Sequence, residues 1–179
     1  MPTLGLYLLT VLIWGSSWIA IVYQVGEVAP VHGVLYRFGL AALLLHALVL
    51  VRRMPGLTLA QHGLCAVMGI LLFGANYVMV YSAIGMGLTS GLAAVVFSLL
   101  IVMNAVNTAL FYREMPGRGL IPGAALGLAG IGLLFRDDLA LVIAGQAAGI
   151  PLLLCLGAVY CASLGNMASR RLQATGGNV

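Results

Sequence analysis

Apolar runs of membrane-spanning length alternate along this chain with short breaks built from glycine, proline and arginine. Six runs separate, over about residues 4–25, 31–51, 62–84, 88–112, 120–135 and 146–167. The breaks are Gly26-Glu27-Val28-Ala29-Pro30, Arg52-Arg53-Met54-Pro55-Gly56, Gly85-Met86-Gly87, Arg113-Glu114-Met115-Pro116-Gly117 and Arg136-Asp137-Asp138, and the last run closes on Ser169-Arg170-Arg171. Glycine and proline interrupt helices for backbone reasons, so they place the boundaries to within a few residues. A bilayer core about 30 Å thick takes about 20 helical residues. The runs lack the strict polar alternation of a membrane strand and are about twice its length. They predict an all-α, polytopic membrane bundle of about six transmembrane helices.

Composition narrows the function classes. Of 179 residues, 63% are hydrophobic and 7% are charged, with mean hydropathy +1.13. A soluble domain carries about 25% charged residues. This chain therefore cannot cover itself with a water-compatible surface, which excludes a large soluble catalytic or nucleic-acid-binding domain. Its natural partner is the lipid bilayer. The net charge of +4 comes from eight basic residues, all arginine, against four acids. With a cytoplasmic N-terminus, Arg52, Arg53, Arg113, Arg118, Arg170 and Arg171 fall on the cytoplasmic side and only Arg136 on the other, while Arg37 lies inside span two. Positive residues favour the cytoplasmic side, so the N-terminus is expected there. The first run has no preceding Arg or Lys and is too long for a signal-peptide core, so it reads as an uncleaved span. Cys65, Cys155 and Cys161 lie inside apolar runs without metal-site spacing and read as buried free thiols.

Polar residues inside the spans carry the candidate chemistry. In span one, Tyr7, Thr10, Trp14, Ser17 and Gln24 recur at steps of three, four, three and seven, forming one helical stripe. Such a stripe either lines a water-filled cavity or consists of hydroxyls bonded to their own helix and aromatics at the interfaces. Span three offers Asn76, Tyr77 and Tyr81, and span four offers Ser98, Asn104, Asn107 and Thr108. These amides are either interhelical hydrogen-bonding groups or ligands for a solute. Arg37, six positions into span two, either snorkels and pairs locally or attracts an anion at a cavity mouth. His46 is expected to be a buried, hydrogen-bonded imidazole, and Glu114 to pair with Arg113 or Arg118. Gly123, Gly127 and Gly130 in span five suit close helix packing, within the bundle or across a dimer. No nucleophile elbow, His-Glu-x-x-His, P-loop or intramembrane carboxylate pair occurs. The reading is therefore not an enzyme, with no cofactor and no metal.

Several of these pieces, in order, resemble the EamA family of the drug/metabolite transporter superfamily. They are Ile13-Trp14-Gly15-Ser16-Ser17-Trp18-Ile19-Ala20, the turn ending in Pro30, Tyr36-Arg37-Phe38, Asn76-Tyr77 with Tyr81-Ser82-Ala83-Ile84, Ser90-Gly91-Leu92-Ala93-Ala94, Glu114, and a glycine-rich fifth helix. The resemblance implies two five-helix repeats forming a ten-helix inverted-repeat transporter. Residues 1–135 would then be the first repeat, and 136–179 a linker plus the first helix of an incomplete second repeat. Tyr160-Cys161-Ala162-Ser163 overlies Trp14-Gly15-Ser16-Ser17 in that scheme, and a chain ending at Val179 lacks four spans. One departure is Ile101, which stands about where the family often has a mid-helix proline.

The function implied is export of a small metabolite (an amino acid or related compound) across the cytoplasmic membrane by alternating access. Trp14, Ser17, Arg37, Tyr77, Tyr81, Asn104 and Asn107 are expected to line the path, Arg37 attracting a carboxylate and the amides fixing orientation. A non-transporting membrane scaffold, or a half-size carrier working as a homodimer, are the alternatives. No nucleic-acid partner is expected.

Overall fold

The computed structural model describes residues 2–24, 26–54, 56–134, 136–145 and 149–176. The expected boundaries at Val25, Phe135 and Gln146 lie outside the described residues, as do Pro55, Val179 and the side chain of Trp18. All regular structure among the described residues is helical. The helices are α1 (Pro2–Gln24), α2 (Pro30–Arg52), α3 (Leu59–Gly85), α4 (Ser90–Tyr112), α5 (Leu120–Leu134), α6 (Arg136–Ile143) and α7 (Gly149–Ala174).

Five of these, α1 to α4 and α7, are long and apolar enough to cross a membrane. With 15 residues, α5 is about 22 Å long at 1.5 Å per residue, short of a full hydrocarbon core. The segment Arg136-Asp137-Asp138, read as a break, instead opens the short helix α6.

The ends of the helices have local causes. Pro30 occupies the first turn of α2, where its missing N–H costs nothing. A capping box starts α3: Thr58 Oγ1 accepts the Gln61 N–H, and Gln61 Oε1 accepts the Thr58 N–H. That motif moves the start of the span three residues ahead of the expected His62. Thr89 caps α4 by accepting the Leu92 N–H. Arg53 and Arg113 leave α2 and α4 in the left-handed region, at φ 48° and 56°.

Two spans depart from regular α-helix at mid-length. In α3, Gly69–Ala75 forms a π-helical segment, a form that is rare and recurs at functional sites. In α4 the break is at Leu99, whose N–H bonds to Val96 O three residues back, while Ser98 Oγ donates to Val95 O. Serine back-bonding of this kind bends helices. The interruption thus arises without a proline, two residues before Ile101.

The centre of the bundle is α7. It packs along the whole of α3 and against α4, with α2 on the other side of α3 and α5 and α6 against α4. One core cluster joins Ala83, Leu88, Leu92, Ala93 and Val96 to Cys155 and Val159 of α7, and a smaller one joins Ile21, Val34 and Tyr81. Glycine makes the α3–α7 approach possible. A Cβ at Gly165 would lie 2.8 Å from Leu72 Cβ and 3.1 Å from Leu72 N.

The start of α3 and the ends of α4 and α7 share one end of the bundle. Gln61 Nε2 donates to Thr175 O at 3.1 Å, and Arg170 Nη2 lies 2.6 Å from Glu114 Oε2. Arg52 ends α2, Arg53, Arg113 and Arg118 lie in the connections at this end, and Arg170 and Arg171 lie near the end of α7. Glu114 therefore pairs 56 residues away rather than with its neighbours Arg113 and Arg118.

Candidate functional site

The site begins with the backbone of α3. At the end of the π segment the Asn76 N–H reaches back five residues to Leu71 O. In an α-helix it would have bonded to Leu72 O. That carbonyl instead accepts the Asn76 side-chain amide, Nδ2 to O, at 3.1 Å. The donor must face the carbonyl, which fixes the amide's orientation and leaves Oδ1 as the free acceptor. Oδ1 is buried without a hydrogen-bond partner among the described residues, on a residue only 5% exposed. A buried acceptor left unpaired costs about 1–3 kcal/mol.

Asn76 forms part of the wall of a partly open cavity of about 200 Å³. Trp14, Ser17 and Ile21 of α1 line it together with Leu72, Phe73, Asn76, Tyr77 and Val80 of α3. Phe97 and Leu100 of α4, on either side of the Leu99 break, and Ala162 and Asn166 of α7 complete it. All these residues lie well inside their spans. Four aromatic rings and two amides surround the space, and among the described lining residues none is an acid or a base apart from the Tyr77 phenol.

Some expected path residues meet here and others do not. Trp14, Ser17 and Tyr77 line the cavity. Ser17 Oγ donates to Trp14 O at 2.7 Å, so its hydroxyl is already paired within α1. Asn104 and Asn107 lie below the cavity, in contact with α7: Asn166 Nδ2 donates to Asn104 Oδ1 at 3.3 Å, and Asn107 Nδ2 to Ser163 Oγ at 2.8 Å. Asn104 thus touches the site through Asn166, and Asn107 is a buried interhelical link. Tyr81 is away from the cavity, 1% exposed in the smaller core cluster, its hydroxyl donating to Gln24 Oε1 at 2.6 Å.

Arg37 is also outside the lining. Its guanidinium lies over the Tyr77 ring at 5.1 Å and the Phe38 ring at 5.7 Å. It backs the ring that forms the wall, a cation–π arrangement worth about 0.5–2 kcal/mol. Of the rest of the stripe, Tyr7 and Thr10 are exposed, Thr10 Oγ1 donating to Leu6 O. His46 is hydrogen-bonded as expected, to Ala42 O, but exposed rather than buried. Cys155 is fully buried, while Cys65 and Cys161 are half-buried; all three are free thiols. A Cβ at Gly123, Gly127 or Gly130 would meet nothing within 4 Å, so the close approach within this chain is at Gly165 instead.

The polar and aromatic lining residues not expected as path residues are Asn76, Phe73, Phe97 and Asn166. Asn76 and Asn166 carried a signal, being amides inside apolar runs. Phe73 and Phe97 carried none.

Residues 1–136 match the family model described as the EamA-like transporter family. No curated protein and no solved structure matches the chain.

Proposed function

Because this chain belongs to the EamA-like transporter family, we propose that it works as a carrier whose substrate passes through the cavity between α1, α3, α4 and α7. It exports a small metabolite across the cytoplasmic membrane by alternating access, with the N-terminus and the arginine-rich end inside. The family is one of transporters rather than enzymes, and the helices make the chain a multi-pass membrane protein. The observation that carries the reading is the cavity itself. It lies at mid-span, where α3 and α4 both abandon regular helix, and it combines aromatic walls with amides. Interrupted helices around a midplane site are the arrangement of many secondary carriers.

Water access tests it. In a chain whose three native cysteines are replaced by alanine, single cysteines at positions 14 and 17 should react with a membrane-impermeant thiol reagent, because a transported solute needs a hydrated path. Protection of both positions in protein that is folded and inserted would overturn the carrier reading and favour a scaffold.

A further inference from the structure

The cavity's chemistry narrows what it takes, on the premise that it is the substrate site. We propose that it receives a neutral aromatic solute presenting an N–H or O–H donor, and that Asn76 Oδ1 accepts the hydrogen bond from that donor.

Three observations converge on this class. The first is the orphaned acceptor. Asn76 spends its Nδ2 on Leu72 O, so the amide cannot turn over to offer a donor without abandoning that carbonyl. Its Oδ1 is a buried acceptor without a partner among the described residues, and only a donor satisfies it. The second is charge. No carboxylate or guanidinium is among the described lining residues, and Arg37 is engaged on the Tyr77 ring outside it. A charged solute would leave water without a counter-charge, which is strongly disfavoured in an apolar site. This selects a neutral solute over the zwitterion that an arginine-anchored amino-acid site would hold. The third is shape. Trp14, Phe73, Tyr77 and Phe97 surround a space of about 200 Å³, and an apolar cavity of about 150 Å³ already admits benzene. A single- or double-ring body fits, its ring edges and faces meeting aromatic walls.

Asn166 Nδ2 is held by Asn104 Oδ1 at 3.3 Å, which ties that wall to α4. Asn76 Oδ1 is thus the buried lining oxygen without a partner among the described residues, and it follows directly on the π segment.

The test uses the full chain in lipid nanodiscs and two probes that differ only in the donor, indole and N-methylindole. Binding of tritiated indole is measured against empty nanodiscs, with unlabelled N-methylindole as competitor. Saturable indole binding is expected, with N-methylindole about tenfold weaker for want of one hydrogen bond. In Asn76→Leu the two probes should bind within about twofold of each other. The unmodified chain carries the test even if that variant fails to fold. Equal affinity for the two probes, or no saturable indole binding, overturns the proposal. Either result leaves the carrier reading intact if positions 14 and 17 react with the thiol reagent. Protection at those positions alongside donor-selective indole binding would instead remove transport and keep the site.

Discussion

Two walls of the cavity, α1 and α7, have opposite character. Of the most apolar stretch of α1, 6% is buried, against 44% in α7. Both helices carry serines, and the difference lies in where those serines are paired. In α1, Thr10, Ser16 and Ser17 donate to the carbonyls of Leu6, Ile13 and Trp14 in their own helix. They need no neighbour, and among the described residues the side-chain bond from α1 to another helix is Gln24 to Tyr81 near its end. The polar groups of α7 are spent on other helices: Ser163 on Asn107, Asn166 on Asn104, Met167 O on Tyr112, and Arg170 on Glu114. A polar stripe therefore reports that a helix can tolerate polar groups, and the pairing of those groups reports whether it is fixed. The site has one anchored wall and one lightly held wall. Regions with few buried contacts open most readily, which makes α1 the wall suited to move in an alternating-access cycle.

The sharpest way to break this comparison is to add one methyl group to each wall. In Gly165→Ala the new Cβ meets Leu72 Cβ at 2.8 Å and its backbone N at 3.1 Å, so α3 and α7 must separate. Overpacking costs about 1–3 kcal/mol, which for a chain of this length lowers Tm by about 2–12 °C. Gly15→Ala in α1 meets nothing within 4 Å and gains helix propensity, so its Tm should hold or rise slightly. Thermal unfolding followed by circular dichroism in detergent reads both. Equal losses in the two variants would mean that α1 is as tightly packed as α7.

The sequence showed the spans and hid the site, for physical reasons. Hydropathy is written into every residue of a span, and punctuation by Pro30, Gly87 and the Arg52-Arg53 pair is local, so most helix ends were legible within a few residues; the exception is α7, which continues through Arg170 and Arg171 to Ala174, seven residues past the expected end. The capping box at Thr58 and Gln61 is also a local motif, but hydropathy passes over it, which is why the span was expected to start at His62 rather than Leu59. Trp14, Ser17 and Tyr77 were found because periodicity in one helix predicts a shared face. Tyr81 shares the face of Tyr77 yet leaves the cavity, because Gln24 from another helix claims its hydroxyl. Which helix a face meets is a tertiary fact that one helix's periodicity cannot carry. The π segment is less visible still. Nothing in Gly69-Ile70-Leu71-Leu72-Phe73-Gly74-Ala75 requires it, and its mark in the sequence is Asn76, the side chain that takes up the Leu72 carbonyl.

A smaller effect separates hydrogen bonds between helices from those within one. Asn107 and Ser163 are both buried and bond at 2.8 Å. Interhelical bonds in membranes contribute about 0.6–1.7 kcal/mol, so Asn107→Leu should lower Tm by roughly 1–7 °C. Combining it with Ser163→Ala should cost less than the sum of the two, since each removes the same bond. Ser17→Ala, whose hydroxyl bonds its own helix, should leave Tm unchanged. Strict additivity of the Asn107 and Ser163 changes would show that the bond does not hold α7 in place.

The smallest effect is expected where the geometry looks strongest. Arg170 Nη2 approaches both carboxylate oxygens of Glu114 at 2.6 Å, and its guanidinium lies over the Tyr112 ring at 4.5 Å. The two side chains are nevertheless 40% and 56% exposed. Exposed ion pairs lose to solvent and to side-chain entropy most of what they gain, and salt screens the remainder. Glu114→Gln should therefore lower Tm by no more than about 4 °C, and by less at high salt. A loss as large as that of Gly165→Ala, shrinking as salt is added, would relocate the anchor of α7 from its close contact with the π segment to its arginine-rich end. The fixed wall would then be held by charge at one edge of the bundle, and the cavity beside Asn76 would be free to open from the α7 side as well.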